Sequence, residues 1–480
     1  MLSRLLLACA ALAAAGAPAF AQPADKPNIL LILSDDHSAA HVGCYGNKDI
    51  RTPNLDAFAK TATRFERYYV GTPQCVPSRA TIMTGRSAIA VQNTRFSAPL
   101  AAEYHTFPEL LKQRAGYFAG VAGRSFHLDG AATPPETEEV FRRFDLRTFP
   151  RRLDFVKTAG AREQILTQFR EFLDAVPKGR PFVLQLCFSD PHRPYTPGGV
   201  PTPHDPARLT LPPFYPDTQL VRRDYAAYYD EIARFDADVG TVLEELRRRG
   251  LDANTLVAVS GDNGAAQFRG KGTLYEFGIH CPLLVRGPGV RAGAVAPQLV
   301  SGEDLAPTFL SAAGVDVPRE MSGKSVLPLR RGEKHEARKH VFAQRGAHGS
   351  GLPTNSAAFD LGRCVVAERY KLIYNALWQI PYWPVDFAGD PMWKELEEQN
   401  RAGTLAEPLR KMYFAPTRPM FEVYDLQTDP HELTNLAGRP ESAPVERELK
   451  AALQEWMILQ RDFVPLPVPP GAAAKKKKKD

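Results

Sequence analysis

Four short polar clusters carry the side chains that could do chemistry, and each follows directly on a run of apolar, β-rich residues. The clusters are Ser34–His37 (SDDH), Gly123–His127 (GRSFH), Ser189–His192 (SDPH) and Gly261–Gly264 (GDNG). In open α/β sheets, ligands bind beyond the carboxyl ends of the strands. We therefore expect the clusters to converge on one cleft that contains acids, an amide, histidines and an arginine.

Two of these clusters supply an oxygen-rich set: Asp35, Asp36, Asp262 and Asn263. Three carboxylates and one amide oxygen suit a hard cation such as Ca²⁺ or Mg²⁺ better than a metal that prefers thiolates or several imidazoles. We expect calcium. The alternative is that both pairs are turn and capping residues at strand ends, a common use of Asp and Asn.

A further motif, C-V-P-S-R at 75–79 followed by T-G-R at 84–86, contains a candidate nucleophile, Cys75. Pro77 suits a first helical turn and Gly85 suits a helix end, so Cys75 is predicted at the N-terminus of a short helix. The backbone N–H groups and the dipole at that position favour an anion. Without the rest of the motif, a buried cysteine before a capped helix would be the default interpretation.

The runs that precede the clusters predict the elements that position them. Four buried parallel strands are expected at Asn28–Leu33, Phe118–Ala122, Phe182–Phe188 and Leu256–Ser260. Longer helical patterns fill the intervals, for example Arg222–Arg249. This alternation predicts an α/β fold, in which crossover helices connect the strands of a mostly parallel sheet.

The last part of the chain predicts a smaller subdomain. Tyr370–Tyr374 and Phe421–Leu426 have the pattern of strands, and Ala443–Arg461 has that of an amphipathic helix. Together they predict a small antiparallel sheet covered by a helix. We expect a catalytic domain over residues 22–350 and a C-terminal subdomain over residues 351–465.

The two ends of the chain account for most of its net charge of +6. An apolar run after Arg4, with Ala19-Phe20-Ala21 as a cleavage site, predicts a signal peptide over 1–21 and a secreted or periplasmic protein. That run is short for a membrane anchor. Residues 466–480, rich in Pro and Lys, predict a disordered tail. Because the body between them is nearly neutral, we expect neither a nucleic acid nor a membrane as partner.

Composition and cysteine content exclude other classes of protein. With 480 residues, 44% hydrophobic and 24% charged, the chain is neither disordered nor fibrous. Of its 6 cysteines, Cys9 lies in the predicted signal peptide, which leaves an odd number and therefore at least one unpaired thiol. No C-x-x-C pair and no His-rich cluster indicates redox or zinc chemistry.

The motif around Cys75 resembles the signature of the type I sulfatases of the alkaline phosphatase superfamily, C-x-P-S-R followed by T-G-R. Five other stretches resemble family segments in the family order: NILLILSDDH, TPNLDAFAK, SDPHRPYTP, SGDNG with KGTLYEFGIHCPLLVRGPG, and FEVYDLQTDPHELTNLA. The resemblance implies an alkaline-phosphatase-like α/β fold, with a mixed, mostly parallel sheet sandwiched by helices. It also implies a smaller C-terminal α+β subdomain built on an antiparallel sheet.

The resemblance further implies the chemistry at position 75. In the family, a formylglycine-generating enzyme oxidises the motif cysteine to Cα-formylglycine, whose hydrated aldehyde is the nucleophile. One hydroxyl of the diol attacks sulfur in line with the leaving group. The second hydroxyl then loses its proton and sulfate departs by C–O cleavage, a route that an ordinary serine lacks.

Site roles carry over to the matching positions of this chain. The family's calcium ligands correspond to Asp35, Asp36, Asp262, Asn263 and an oxygen of modified Cys75. Arg79 would hold the diol, and Lys271 would clamp a sulfate oxygen. His127 would assist proton transfers of the diol, and His192 would be the general acid for the leaving group. Because imidazole titrates near pH 6.5, the resemblance predicts an optimum at mildly acidic to neutral pH.

One position departs from the family pattern. Many sulfatases carry a lysine where this chain has Arg124. The arginine keeps the positive charge, but its guanidinium is planar and does not give up a proton as a lysine can. We expect Arg124 to act on the sulfate group, with an altered placement of that group.

Within the family, three segments are similar to the heparan-type sulfamidases: residues 211–218 leading into the helix that ends near Arg248, residues 369–375 and residues 455–465. The expected activity is hydrolysis of sulfate from a sulfated sugar, with N-sulfoglucosamine as substrate. The alternatives are an O-sulfatase on another glycan or an arylsulfate, a phosphonate or phosphodiester hydrolase of the same superfamily, and a catalytically dead glycan-binding relative. Retention of Cys75, Arg79 and Lys271 argues against the last.

Overall fold

The computed structural model describes residues 26–96, 99–129, 135–196, 199–328, 337–348 and 359–466. The predicted signal peptide lies outside these ranges, as does the predicted tail apart from its first residue. Among the described residues, no helix is both long enough and apolar enough to cross a membrane.

An eight-stranded sheet forms the centre of the molecule. Its strands are β1 (Asn28–Ser34), β2 (Thr63–Tyr69), β3 (Phe118–Gly123), β4 (Phe155–Val156), β5 (Phe182–Cys187), β6 (Thr255–Gly261), β7 (Leu283–Arg286) and β8 (Val295–Ser301). The strand order is β4-β3-β5-β1-β6-β7-β2-β8. The strands from β4 to β6 run parallel, β7 is antiparallel to both of its neighbours, and β2 is parallel to β8. The expected mixed, mostly parallel sheet is confirmed.

Helices cover both faces of this sheet. They are α1 (Pro53–Ala59), α2 (Cys75–Thr84), α3 (Phe107–Ala115), α4 (Pro135–Arg143), α5 (Phe149–Arg152), α6 (Arg162–Ala175), α7 (Gln219–Arg248), α8 (Glu276–Ile279) and α9 (Leu305–Ala312). Every residue of β1 is buried, and its side chains alternate between two cores. Leu31 packs in one core with α2, α3 and α9, whereas Leu30 packs in the other with α1, α6 and α7. A strand buried on both faces reads as the continuous apolar run seen in the sequence.

The four strands predicted from the sequence lie side by side, in the order β3-β5-β1-β6. Cys187 at the end of β5 pairs with Leu33 on one side and with Gly123 on the other. Leu33 in turn pairs with Ser260 of β6. Because the strands are parallel and in this register, their carboxyl ends meet at one edge of the sheet.

A second sheet is separate and wholly antiparallel. Its strands β9 (Val341–Arg345), β10 (Gly362–Val366), β11 (Tyr370–Asn375) and β12 (Phe421–Asp425) follow the order β12-β11-β10-β9. The helices of this region are α10 (Pro391–Ala402), α11 (Glu407–Phe414) and α12 (Ala443–Leu459). Leu453 of α12 packs against Val365 and Leu372 of the sheet, so the expected helix-covered antiparallel sheet is confirmed.

The second sheet begins earlier in the chain than the predicted boundary at residue 350. Strand β9 ends at Arg345 and pairs with β10 through the register Val366↔Val341 to Gly362↔Arg345. The sequence VFAQR is short and ends in two polar residues, so it lacks the long apolar run by which the other strands were recognised. The connection between the two sheets therefore lies before residue 341.

Candidate active site

The oxygen-rich set comes together at the carboxyl edge of the central sheet. Asp35 and Asp36 follow β1, Asp262 and Asn263 follow β6, and all four are fully buried. The backbone N–H of Asp36 donates to Asp262 Oδ1 at 3.1 Å, and Asn263 Nδ2 donates to Asp36 Oδ1 at 2.8 Å. The neighbouring strands β1 and β6 thus bring three carboxylates into one hydrogen-bonded cluster.

Cys75 begins α2, as the sequence predicts. The helix is buried along its whole length and ends at Gly85, which has a left-handed φ of 63°. The Sγ atom lies 3.1 Å from Asp35 Oδ1 and 3.8 Å from Asp36 Oδ1. Burial and the neighbouring Asp35 carboxylate raise the pKa of the Cys75 thiol well above its usual range. An unmodified thiol at this position is therefore a weak nucleophile.

Two buried cations balance the carboxylates. Arg79 Nε lies 2.8 Å from Asp262 Oδ2, and Arg79 Nη2 lies 3.1 Å from Asp35 Oδ2. Lys271 Nζ lies 2.9 Å from Asp36 Oδ1, with its side chain only 1% exposed. Burial disfavours the charged form of Lys271, but the carboxylates of Asp36 and Asp386 hold its pKa well above the usual value. Both residues are cations in the folded protein.

A third cation and a histidine complete this side of the site. Arg124 Nε lies 2.5 Å from Asp35 Oδ2, and the Arg124 backbone carbonyl accepts a hydrogen bond from Arg79 at 2.9 Å. His127 Nδ1 lies 3.5 Å from the same oxygen of Asp35. The arginine thus places its charge inside the carboxylate cluster.

His192 belongs to the polar segment that follows β5, and it faces the carboxylate cluster. Its Nδ1 contacts the backbone carbonyl of Arg193, which only accepts, so Nδ1 carries a proton. The other nitrogen, Nε2, lies 3.8 Å from Asp36 Oδ2 and is the one that can exchange a proton with a bound group. Burial and the Lys271 charge lower the pKa of His192 to about 4. The optimum at mildly acidic to neutral pH stays a prediction.

The donor set fits a hard cation. Candidate ligand atoms lie within 4.8 Å of one another on Asp35, Asp36, Cys75 and His192. In addition, Asn263 Oδ1 is buried and accepts no hydrogen bond from the part of the chain that the structure describes. A buried oxygen without a donor is costly unless it faces a cation. Burial and the crowded carboxylates raise the pKa of Asp36 to about 6 and that of Asp262 to about 7, which a bound cation would reverse.

The sequence analysis missed one acid of the site. Asp386, on the segment between β11 and α10, places Oδ2 2.6 Å from Lys271 Nζ. Its Oδ1 lies 3.2 Å from His348 Nε2. Asp386 has a left-handed φ of 70°, as Asp36 does at 67°, an uncommon backbone for a residue other than glycine. Neither Asp386 nor His348 belongs to a recognisable motif, so no signal in the sequence pointed to them.

All site residues named from the sequence therefore lie in one cluster, in which Arg124 and His192 are half-buried and the others are buried. They are Asp35, Asp36, Cys75, Arg79, Arg124, His127, His192, Asp262, Asn263 and Lys271. The arrangement combines a position for a nucleophile at a helix N-terminus, an oxygen-rich cation site and three cations. Such a site can bind and polarise a tetrahedral oxyanion.

Fold and site together define an alkaline-phosphatase-like hydrolase, and comparison with known proteins identifies the family. The family model described as "Sulfatase" matches residues 27–315. A second model, described as "N-sulphoglucosamine sulphohydrolase, C-terminal", matches residues 264–413. The chain belongs to the sulfatase family, and it is a hydrolase of sulfate esters or sulfamates.

The named relatives agree with this assignment, and the solved structures share the fold. Human N-sulphoglucosamine sulphohydrolase is 30% identical over 475 residues, with 89% of each chain covered. An ulvan-active sulfatase of Formosa agariphila is 27% identical and covers 92% of this chain and 76% of its own. A structure in complex with its substrate D-glucosamine-2-N,6-O-disulfate has a TM-score of 0.66 at 21% identity, covering 92% of this chain and 99% of the other. The phosphonate monoester hydrolase of Silicibacter pomeroyi has a TM-score of 0.68 at 20% identity, covering 91% and 96%. These two structures show the shared fold.

Proposed function

We propose that this protein is a formylglycine-dependent, calcium-binding sulfatase that removes sulfate from a sulfated sugar, with N-sulfoglucosamine as its preferred substrate. The observation that carries the proposal is the position of Cys75. It lies at a buried helix N-terminus, within 3.1 Å of Asp35 and among three carboxylates and three cations. These surroundings raise the pKa of the Cys75 thiol, so they disfavour the thiolate that a cysteine nucleophile needs. An oxygen nucleophile, in contrast, is activated by a neighbouring cation.

Two groups complete the site when present. Once a formylglycine-generating enzyme has modified Cys75, that position supplies a hydrated aldehyde as nucleophile. A Ca²⁺ ion, which supplies positive charge for oxygen ligands, would be held by Asp35, Asp36, Asp262, Asn263 and an oxygen of the modified residue.

The chain's own cations bind and polarise the sulfate group. Lys271 and Arg124 each lie against a carboxylate of the cluster, so they are held in place before substrate enters. Arg79 is fixed by two carboxylates and by one backbone carbonyl, and it holds the group at position 75. Donors that are fixed in advance pay no reorganisation cost as charge spreads over the sulfuryl oxygens.

His192 handles the proton of the leaving group. With Nδ1 donating to the Arg193 carbonyl, Nε2 is free to carry a proton toward the bond that breaks. The low pKa of the ring in the free protein rises when an anionic sulfate binds beside it, because a negative neighbour favours the imidazolium. A sulfamate depends strongly on this acid, since an amide anion is a far worse leaving group than an alkoxide.

The preference for N-sulfoglucosamine is supported by the C-terminal match and by the relatives. The model that spans residues 264–413 is named for N-sulphoglucosamine sulphohydrolase, as is the human relative. The solved structure with bound D-glucosamine-2-N,6-O-disulfate has the same fold. The ulvan-active sulfatases among the relatives support the alternative, in which the substrate is an O-sulfated glycan.

The deciding experiment compares kcat/KM for glucosamine N-sulfate, 6-O-sulfated N-acetylglucosamine and a phosphonate monoester under identical conditions. Cys75→Ala protein serves as the control for background hydrolysis. We expect the sulfamate to be cleaved fastest. A clear preference for the O-sulfate would reject the sulfamidase assignment and leave a sulfatase, whereas a preference for the phosphonate would reject both.

A further inference from the structure

A cavity of about 550 Å³ opens directly beside His192. Its other lining residues come from the segment after β5, from the first turns of α7 and from the segment that leads into α10. The polar ones are Arg193, Tyr195, Arg223, Asp224, Asp386 and Asp390. Because His192 protonates the leaving group in the proposed reaction, this space is the candidate position of the departing sugar. We call it the leaving-group cavity.

Asp386 is the carboxylate of this cavity that reaches the catalytic centre. Its Oδ2 lies 3.8 Å from His192 Nε2 and 2.6 Å from Lys271 Nζ, and its side chain is 23% exposed. The other two carboxylates, Asp224 and Asp390, are both bound to Arg193, at 2.7 Å from its Nη1. Asp386 therefore combines a partly exposed carboxylate with a position next to the general acid.

The backbone also marks Asp386. Its φ of 70° places it in the left-handed region. This conformation costs free energy at a residue other than glycine, and it persists only where the surrounding structure enforces it. The neighbouring Val385 and Phe387 are buried, and they fix the segment on either side. The carboxylate is thus held in place between Lys271 and His348 rather than left to solvent.

We propose that Asp386 is a specificity residue that selects an amine as leaving group, an inference that rests on the proposed sulfamidase function. A sulfamate carries an N–H at the scissile position, whereas a sulfate ester carries only an oxygen that accepts. A fixed carboxylate can accept a hydrogen bond from the N–H and meets only repulsion from the ester oxygen.

The interaction strengthens as the reaction proceeds. When the S–N bond breaks, the sulfuryl group passes to the nucleophile at position 75, and the electron pair of the bond stays on nitrogen. His192 Nε2 transfers its proton to that nitrogen as the bond breaks, so the nitrogen gains positive charge in the transition state and the departing group is a neutral amine. Asp386 lies beside His192 on the same side of the cavity, where it stabilises this developing charge.

A simpler role would be that Asp386 only holds Lys271 in position. Loss of Asp386 would then weaken the clamp on the sulfate group and would lower the rates for sulfamates and sulfate esters alike. The two roles are separated by the ratio of the two rates, because only the specificity role treats S–N and S–O bonds differently.

The kinetic test uses Asp386→Asn, which keeps the size of the side chain and removes its charge. We expect kcat/KM for glucosamine N-sulfate to fall by roughly 10- to 100-fold more than kcat/KM for the 6-O-sulfated sugar. The matched control is Asp390→Asn, which removes a carboxylate of the same cavity that is bound to Arg193 and 38% exposed. This control should change both rates by similar factors. Equal losses on both substrates in Asp386→Asn would overturn the proposal.

A binding test gives a readout that needs no turnover. In a Cys75→Ala background, calorimetry compares glucosamine, at a pH where its amine is protonated, with N-acetylglucosamine. We expect glucosamine to bind roughly 10-fold more tightly, and Asp386→Asn to abolish that difference. No preference in the Cys75→Ala protein, or a preference that survives Asp386→Asn, would overturn the proposal. Because this readout does not depend on which sulfate is cleaved, failure of the proposed function is detected separately by the substrate comparison.

Discussion

Cys75 is the residue on which the proposed chemistry depends. We expect intact peptide mass spectrometry of active, secreted protein to show that position 75 has lost the thiol sulfur and gained oxygen, as formylglycine requires. Cys364 is the internal control, because it is also buried and unpaired but lies in the second sheet, and it should keep its thiol. Fully active protein that carries only unmodified Cys75 would end the mechanism.

Substitutions at Arg124 separate the contribution of charge to sulfate binding from the contribution of side-chain shape. Its Nε lies 2.5 Å from Asp35, so the cation is fixed inside the carboxylate cluster. We expect Arg124→Lys to keep kcat within about 10-fold, because the charge is retained, and Arg124→Ala to lower kcat by about 10²- to 10³-fold. Steady-state kinetics on the preferred substrate would check both values. A fully active Arg124→Ala protein would remove Arg124 from the site.

The structure brings together the site residues that a motif carried, whereas the sequence analysis missed residues that no motif carried. Cys75, Arg79 and the strand-end acids belong to recognisable strings of residues, and the register of the parallel strands brings them together. Asp386 stands alone in a connecting segment, about 115 residues after its partner Lys271 in the chain. A contact of that range depends on how the two sheets pack, which local patterns do not encode.

At the scale of elements, the carboxyl ends of β1 and β6 create the cation site. One Ca²⁺ ion per chain should stabilise the three buried carboxylates and Asn263 Oδ1, which accepts no hydrogen bond from the described residues. We expect metal analysis to find that ion, and a chelator to lower the thermal unfolding midpoint until calcium is restored. Asp262→Ala should lose both the metal and the activity. Stoichiometric zinc without calcium, or full activity in Asp262→Ala, would contradict the assignment.

Within the central sheet, the strands that the sequence analysis predicted are inner ones. The inner strands β1, β3, β5 and β6 are continuous apolar runs because both of their faces are covered. By contrast, β2 (TRFERYY) and β8 (VAPQLVS) mix polar with apolar residues, and the sequence analysis did not identify them. The strands β2 and β8 are defined by the strands with which they pair, and the apolar pattern of one short segment does not reveal its partners.

At the scale of the whole molecule, a buried cluster of charges joins the second sheet to helix α8, which packs with the central sheet. Lys371 of β11 lies 2.6 Å from Glu276 of α8 and 2.9 Å from Glu432, and its side chain is fully buried. We expect Lys371→Met to destabilise the protein by about 3–5 kcal/mol, because it leaves two buried carboxylates without a cation. Denaturant unfolding measures this loss. Lys394→Met, which removes an exposed pair with Glu397, should cost less than about 1 kcal/mol.

Strand β9 has a consequence for dividing the chain into fragments. It forms one edge of the second sheet, and it precedes residue 350. A fragment that starts at residue 351 would leave the backbone N–H and C=O groups of β10 without their partner strand. Exposed, unpaired strands of this kind recruit other chains and aggregate. The chain therefore cannot be divided at the predicted boundary near residue 350 without splitting the second sheet. An exchange of C-terminal halves between sulfatases would have to include β9 with the rest of that sheet.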